Sequence, residues 1–203
     1  MIRLRANALA SMVLPAPLGA NDGASGIAVL MTLAEMLSKN PLTSLGVDLL
    51  FLDAEDLGLY GSPESWALGA KSFSKHIRKP IPRYAICLDM IADKEQEFYI
   101  ERFSYQIAPD LVNKVWGLAN QLGYNQFKYK MGQAIIDDHY VIYNETGIPS
   151  IDIIDFQYPN AQENYWHTIE DTPDKCSVNS LESVGTVIAT LIYREDNHYY
   201  KLY

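Results

Sequence analysis

The sequence predicts an α/β fold, a mainly parallel mixed sheet with helices on both faces. Three observations predict it. Gly46 to Asp53, Tyr84 to Ile91 and Ile148 to Ile154 are apolar runs too short for helices, so they read as strands buried on both faces. Between them lie stretches whose apolar residues recur every three or four positions. The two kinds of segment alternate along the chain, as strand–helix–strand units do.

Taken in order, the first eighteen residues are an atypical start. Arg3 and Arg5 followed by Ala6 to Pro17 loosely resemble a short signal segment, but no polar mature start follows, which favours a chain that begins inside a domain. Ile27, Leu30, Ala34 and Leu37 then form a helical stripe that Lys39, Asn40 and Pro41 end. The strand GVDLLFLD, Gly46 to Asp53, is stopped by acidic residues and Gly58. Further helices are expected over Glu64 to His76, Pro109 to Leu122 and Asp137 to Asn144. The last runs from Ser180 to Tyr193, with Leu181, Val184, Ile188 and Leu191 on one side and Asn179 and Glu182 as its cap. No repeat or low-complexity segment divides the chain, so residues 1–203 read as one domain.

Composition excludes several function classes. With 203 residues, 48% hydrophobic and 20% charged, the chain has a full core and is neither disordered nor fibrous. Its 25 acidic against 16 basic residues leave a net charge of −9 and no basic cluster interleaved with aromatics, which argues against a nucleic-acid partner. No apolar run approaches the ~20 residues of a membrane helix. Cys87, in a strand-like run, and Cys176, in a polar loop, form neither a disulfide framework nor a zinc knuckle.

The chemistry-bearing residues sit where such a sheet places its sites, beyond the carboxyl ends of the strands. Glu55 and Asp56 leave the first strand as adjacent carboxylates pointing in different directions, so one can bind a metal while the other handles protons. Asp89 closes the next strand, where a carboxylate inside an apolar run needs a partner. Asp22 lies in the small-residue segment GANDGASG, and local reasoning favours an N-cap there. His167 follows the third strand. An aspartate, a second carboxylate and a histidine make the three-ligand set with one open position expected of catalytic zinc, although a surface histidine is the bland reading. Asp137-Asp138-His139 is readily explained as capping at a helix start. His76, in a basic stretch, and His198, in the polar tail, carry no such signal.

In the order GANDGASG, FLDAEDLGLYGS, ICLDMIAD, IIDDHYVIYNETGIPSIDII and YWHTIEDTPD, these segments resemble the zinc aminopeptidase superfamily that also contains the glutaminyl cyclases. The resemblance runs from Gly19 almost to the C-terminus. It implies that Asp22, Asp56 and His167 bind zinc, that Glu55 is the general acid/base, and that Asp89 binds a second zinc in aminopeptidases or hydrogen-bonds in the site of cyclases. It also turns Asp22 from cap to ligand.

Three details resemble the cyclase branch. The aminopeptidase His-x-Asp segment ahead of Asp22 has no counterpart, since no histidine precedes His76, so one zinc ion is expected. Trp166 precedes His167, as where an indole walls the cyclase pocket. The turn reads Asp137-Asp138-His139 where aminopeptidases have Ser-Asp-His. Asp137 is thus expected as a pocket residue, and Trp166 and His139 as substrate contacts. The expected function is a zinc-dependent glutaminyl-peptide cyclotransferase that makes N-terminal pyroglutamate on peptide or protein substrates. The alternatives are a zinc aminopeptidase of the same fold and an inactive relative. Export to a periplasmic or extracellular setting is implied by resemblance alone. The family's first strands are expected to be missing ahead of Gly19, leaving an unpaired sheet edge. Asp56 is shorter than the glutamate common in both branches.

Overall fold

The computed structural model describes residues 16–59 and 61–197, and the segment before Ala16 and the tail with His198 lie outside it. At its centre β1 (Ala85–Asp89) and β4 (Ser150–Ile154) run parallel, in register from Ala85 beside Ser150 to Asp89 beside Ile154. Both are five-residue runs rich in isoleucine and leucine, and β4 is buried along its whole length, as a strand covered on both faces must be. Period-two alternation sends Ile86, Leu88, Ile151 and Ile153 to one face. There they pack with Val29 and Leu33 of α1 (Ala24–Lys39) and with Val184, Val187 and Leu191 of α6 (Val178–Asp196). The other face carries Ala85 with Ala70 of α2 (Leu68–His76) and Ile142 of α5 (Asp138–Thr146). Each large aliphatic chain buried this way contributes about 1.5–3 kcal/mol, enough to hold helices whose intrinsic propensity is modest. Gly26 allows α1 to lie close on β1, because a Cβ there would meet the Leu88 carbonyl oxygen at 2.2 Å.

A second parallel pair joins β2 (Phe98–Ile100) and β3 (Phe127–Met131), with α3 (Arg102–Ile107) and α4 (Pro109–Gln121) between them in the chain. Trp116 of α4 stands edge-on to Phe127 at 5.5 Å and donates its indole N–H to the Phe98 carbonyl at 3.3 Å. Far from the sheet, Asp196 accepts the backbone N–H groups of Thr43, Ser44 and Leu45 at 2.7–3.0 Å, which ties the chain after α1 to the end of α6.

The fold class agrees with the sequence, and several elements differ. Gly46 to Asp53 forms no strand: among the described residues it has no ladder partner, and Phe51 is 52% exposed. Val47 and Leu52 still pack against the two main clusters, so burial alone made the run look like a strand. Among the described residues the ladder hydrogen bonds divide into two separate pairs rather than one sheet, because those of β2 go to β3. α1 starts at Ala24, before its apolar stripe begins, and α2 starts only at Leu68, after a 3₁₀ turn at Pro63–Ser65. α6 starts at Val178 behind Ser177, so the expected Asn179 cap lies within the helix. Among the described residues no helix is long and apolar enough to cross a membrane.

Candidate active site

Asp22 stands in the tight turn before α1. Gly19 and Gly23 take left-handed φ values of 67° and 94°, and Gly23 rather than Asp22 occupies the N-cap position, so the Asp22 carboxylate is free of capping duty. The turn is fastened from outside. Asn21 and Asp22 donate their backbone N–H groups to the Asp171 carboxylate at 2.8 and 3.1 Å, and Tyr158 donates its hydroxyl to Asp171 at 2.9 Å. The Asn21 side-chain oxygen accepts the Ala92 N–H at 2.6 Å, which joins the turn to the residues after β1.

Asp53 to Glu55 are held by the start of α2. Gly69, Leu68 and Ala67 donate to the carbonyls of Asp53, Ala54 and Glu55 at 3.1, 3.2 and 3.0 Å. Gly69 permits this approach, since a Cβ there would lie 2.6 Å from the Asp53 carbonyl oxygen. Ala54 adopts φ 57°, a left-handed conformation that L side chains rarely take and that the three bonds from α2 hold in place.

The third arm is the loop after β4. His167, at φ 59°, brings Nε2 to 3.0 Å from Asp56 Oδ2 and 3.4 Å from Asp22 Oδ2. One ligand atom from each of these three residues lies within 4.8 Å of the others. Two carboxylate oxygens and an imidazole nitrogen at this spacing are the chemistry of a catalytic zinc site with an open position, and the site faces solvent, with His167 42% exposed. Trp166 stacks on the His167 ring at 4.0 Å and 28° and packs on Phe156 at 5.1 Å with the two ring planes tilted by 55°.

Electrostatics point the same way. Burial first, then the Asp56 charge, pushes Asp22 up to about 6, with His167 acting against it. Burial, then Asp137 and Asp56, pushes Glu55 up to about 9. Asp89 is raised well above the ordinary range by burial and by Asp137 and Asp22. Acids crowded in this way are relieved by a bound cation, and the donor set therefore fits zinc.

Asp137 is the N-cap of α5. Its carboxylate accepts the Asp138 N–H on one oxygen and the Cys87 thiol on the other, at 3.5 Å. Its neighbour departs from expectation. His139 is 1% exposed, with Nε2 on Glu101 at 3.2 Å, and so cannot touch substrate in an open site; the first turn of α5 carries its ring inward. The sequence reading also passed over Asp171 and Asp152. Asp171 lies four residues after His167 in the same motif, and Asp152 is a carboxylate inside an apolar run, the signal that singled out Asp89.

Comparison with known proteins narrows the chemistry. Glutaminyl cyclase from Bacteroides thetaiotaomicron, solved with N-acetylhistamine, superposes at TM-score 0.82 and 36% identity over 87% of this chain and 63% of its own. Glutaminyl cyclase from Porphyromonas gingivalis gives 0.82 and 37% over 87% and 66%. A Zn-dependent exopeptidase from Parabacteroides distasonis gives 0.79 and 33% over 86% and 63%. Aminopeptidase YwaD of Bacillus subtilis (strain 168) is 27% identical over 187 residues, 86% of this chain and 37% of the longer relative. The chain thus spans less than two thirds of the length of most of these relatives. Peptidase family M28 matches residues 8–192, and with the fold and the Asp22, Asp56 and His167 cluster in place, the chain belongs to that family of zinc-dependent enzymes.

Proposed function

We propose that the site is a glutaminyl-peptide cyclotransferase that converts N-terminal glutamine to pyroglutamate and releases ammonia. The observation that carries this reading is the Trp166 indole stacked on His167 at the mouth of the metal cluster, a flat apolar wall for one compact side chain. A zinc ion held by Asp22, Asp56 and His167 would polarise the side-chain amide carbonyl as a Lewis acid and stabilise the charge that develops on its oxygen.

The chain's own residues do the rest. Trp166 confines the glutamine side chain so that its α-amine lies against its own amide carbon, and proximity supplies much of the rate. The amine nitrogen bonds to that carbon, and Glu55 takes the proton the amine loses. The carbon–nitrogen bond to the side-chain NH₂ then breaks, and Glu55 returns the proton so that ammonia leaves. Asp137 and Asp89 orient the amine and Glu55. Burial first, and then the neighbouring carboxylates, give Glu55 a proton to return to the departing nitrogen.

The second reading is an aminopeptidase, favoured by the likeness to Aminopeptidase YwaD, in which Glu55 takes a proton from water and the first peptide bond is cut. Zinc-loaded full-length protein tested on a glutaminyl and a leucyl peptide separates the two: ammonia release supports the cyclase and leucine release the peptidase. Peptide or protein N-termini are the partners in both, and a periplasmic or extracellular setting suits them.

A further inference from the structure

The chain turns sharply where β1 ends. Met90 is fully buried and takes φ 46°, a left-handed conformation that L side chains rarely adopt, and the bend it makes follows directly on Asp89. Such a backbone persists only where its surroundings hold it. The holding comes from the segment that opens α1. Ile91 donates its N–H to Ser25 Oγ at 3.0 Å, and Ala92 donates its N–H to Asn21 Oδ1 at 2.6 Å.

The chemistry of these two positions follows from where they stand. The first turn of a helix offers unpaired N–H groups rather than acceptors, so acceptors for Ile91 and Ala92 have to come from side chains. The Ser25 hydroxyl gives its proton to the Asn21 carbonyl at 2.5 Å, which leaves its oxygen free to accept from Ile91. Asn21 is thereby held at three points, since its own N–H goes to Asp171 at 2.8 Å. Both residues are almost wholly buried, Asn21 at 0% and Ser25 at 2% exposed. Gly26, the next residue, lets α1 come this close, with the Leu88 carbonyl oxygen 2.2 Å from where its Cβ would stand.

What these bonds hold together is a pair of acids. Asp89 is raised by burial first, then by Asp137 and by Asp22, so Asp22 and Asp89 are close enough to feel each other's charge. Repulsion would part the two segments. The bonds that oppose it are made by Asn21, beside Asp22, and by Ile91, two residues beyond Asp89.

We propose that Ser25 and Asn21 are positioning residues of the active site: they pin the Asp22 turn to the bend at Met90–Ala92, so that the Asp22 and Asp89 carboxylates are set in place before zinc binds. This rests on the reading of Asp22 as a zinc ligand. Both residues act through the backbone of their neighbours and are too buried to touch substrate.

The test uses the whole chain and zinc alone, without substrate. Ser25→Ala removes both bonds of the hydroxyl, whereas Ser25→Thr keeps a hydroxyl within reach of the carbonyl four residues back. Ser25→Ala is expected to weaken zinc binding by about 10–100-fold, with Ser25→Thr within about threefold of wild type. Thermal midpoints with and without saturating zinc give a second readout. A merely structural hydroxyl would lower both equally, and the pin lowers the zinc-loaded midpoint more. Ser150→Ala, which removes a buried hydroxyl bonded to the Ile148 carbonyl at the far end of β4, is expected to keep wild-type zinc affinity. Unchanged affinity in Ser25→Ala, or an equal loss in Ser25→Thr or Ser150→Ala, overturns the proposal. Hydrogen exchange in zinc-free wild type needs no variant to fold: the Ile91 and Ala92 amides are expected to be slow already, and fast exchange that slows only when zinc is added also overturns it. A wild-type chain that binds no zinc rejects the reading of Asp22 as a ligand itself, while wild-type zinc affinity in Ser25→Ala rejects the pin and leaves that reading standing.

Discussion

The Asp22 N–H donates to Asp171 Oδ2 at 3.1 Å, across 149 positions of sequence, so the loop that carries His167 also holds the backbone of the residue it meets at the metal cluster. The first and third arms of the site are therefore one mechanical unit. Asp171→Asn keeps the size but weakens the acceptor for two N–H groups and the Tyr158 hydroxyl. Unfolding stability should fall by about 1–3 kcal/mol, and zinc affinity by roughly 10–100-fold. Denaturant titration and metal competition measure the two, and unchanged affinity would separate Asp171 from the site.

Glu55 and Asp56 are neighbours with different expected roles, and substitution divides them. Glu55→Gln should retain zinc and lose turnover by about 10²–10⁴-fold. Asp56→Ala and His167→Ala should lose the ion itself. Elemental analysis beside kinetics checks this, with one zinc per chain expected for wild type, and a Glu55→Gln enzyme of full activity would remove Glu55 from the mechanism.

Trp166 packs on Phe156 and stacks on His167, so its truncation affects both folding and binding. Because the indole is only half-buried, the binding effect should dominate. Trp166→Ala should lower kcat/KM on a glutaminyl peptide by about tenfold or more, with a loss of stability near 1 kcal/mol. A variant that melts much earlier yet turns over normally would make the ring a prop alone.

Much of this was legible in the residues. β1 and β4 announce themselves as short apolar runs, and α4, α5 and α6 as periodic ones, because burial on one stripe or two faces writes its period into the sequence. Residue chemistry singled out Asp56 and His167, only the family resemblance added Asp22, and the fold brings one ligand atom of each within 4.8 Å of the others. Three kinds of feature were not legible. A strand as short as Phe98–Ile100 is too brief to show a period. Gly46 to Asp53 carries strand composition, but pairing depends on a neighbour that composition does not reveal. Asp171 and the Glu101–His139 pair act through contacts remote in sequence, and capping logic at Asp137 predicted the helix start without predicting that His139 turns inward.

Stability should depend on pH in a way that zinc moderates. Asp22 is raised to about 6 and Asp138 and Asp155 to about 7, in each case chiefly by burial. An acid whose folded pKa is raised binds more protons folded than unfolded between about 4 and 7, so stability falls as pH climbs through that window. Glu101, lowered to about 2, acts oppositely and contributes stability that is lost only below about 4. Metal-free protein should melt highest near pH 4–5 and progressively lower towards pH 8. Added zinc should raise the midpoint more at pH 8 than at pH 5, because the ion takes the place of the proton on its ligand Asp22. A metal-free midpoint that rises steadily from pH 5 to pH 8, read by calorimetry, would contradict the crowded-acid description.

The most direct test of the whole account is the product formed from an N-terminal glutaminyl peptide by the full-length, zinc-loaded chain. Mass spectrometry and an ammonia assay should find one ammonia released for each pyroglutamyl peptide formed, abolished in Glu55→Gln, with no free leucine from a leucyl peptide under the same conditions. Release of leucine or of intact glutamine, without ammonia, would contradict the cyclase assignment and place the site with the aminopeptidases.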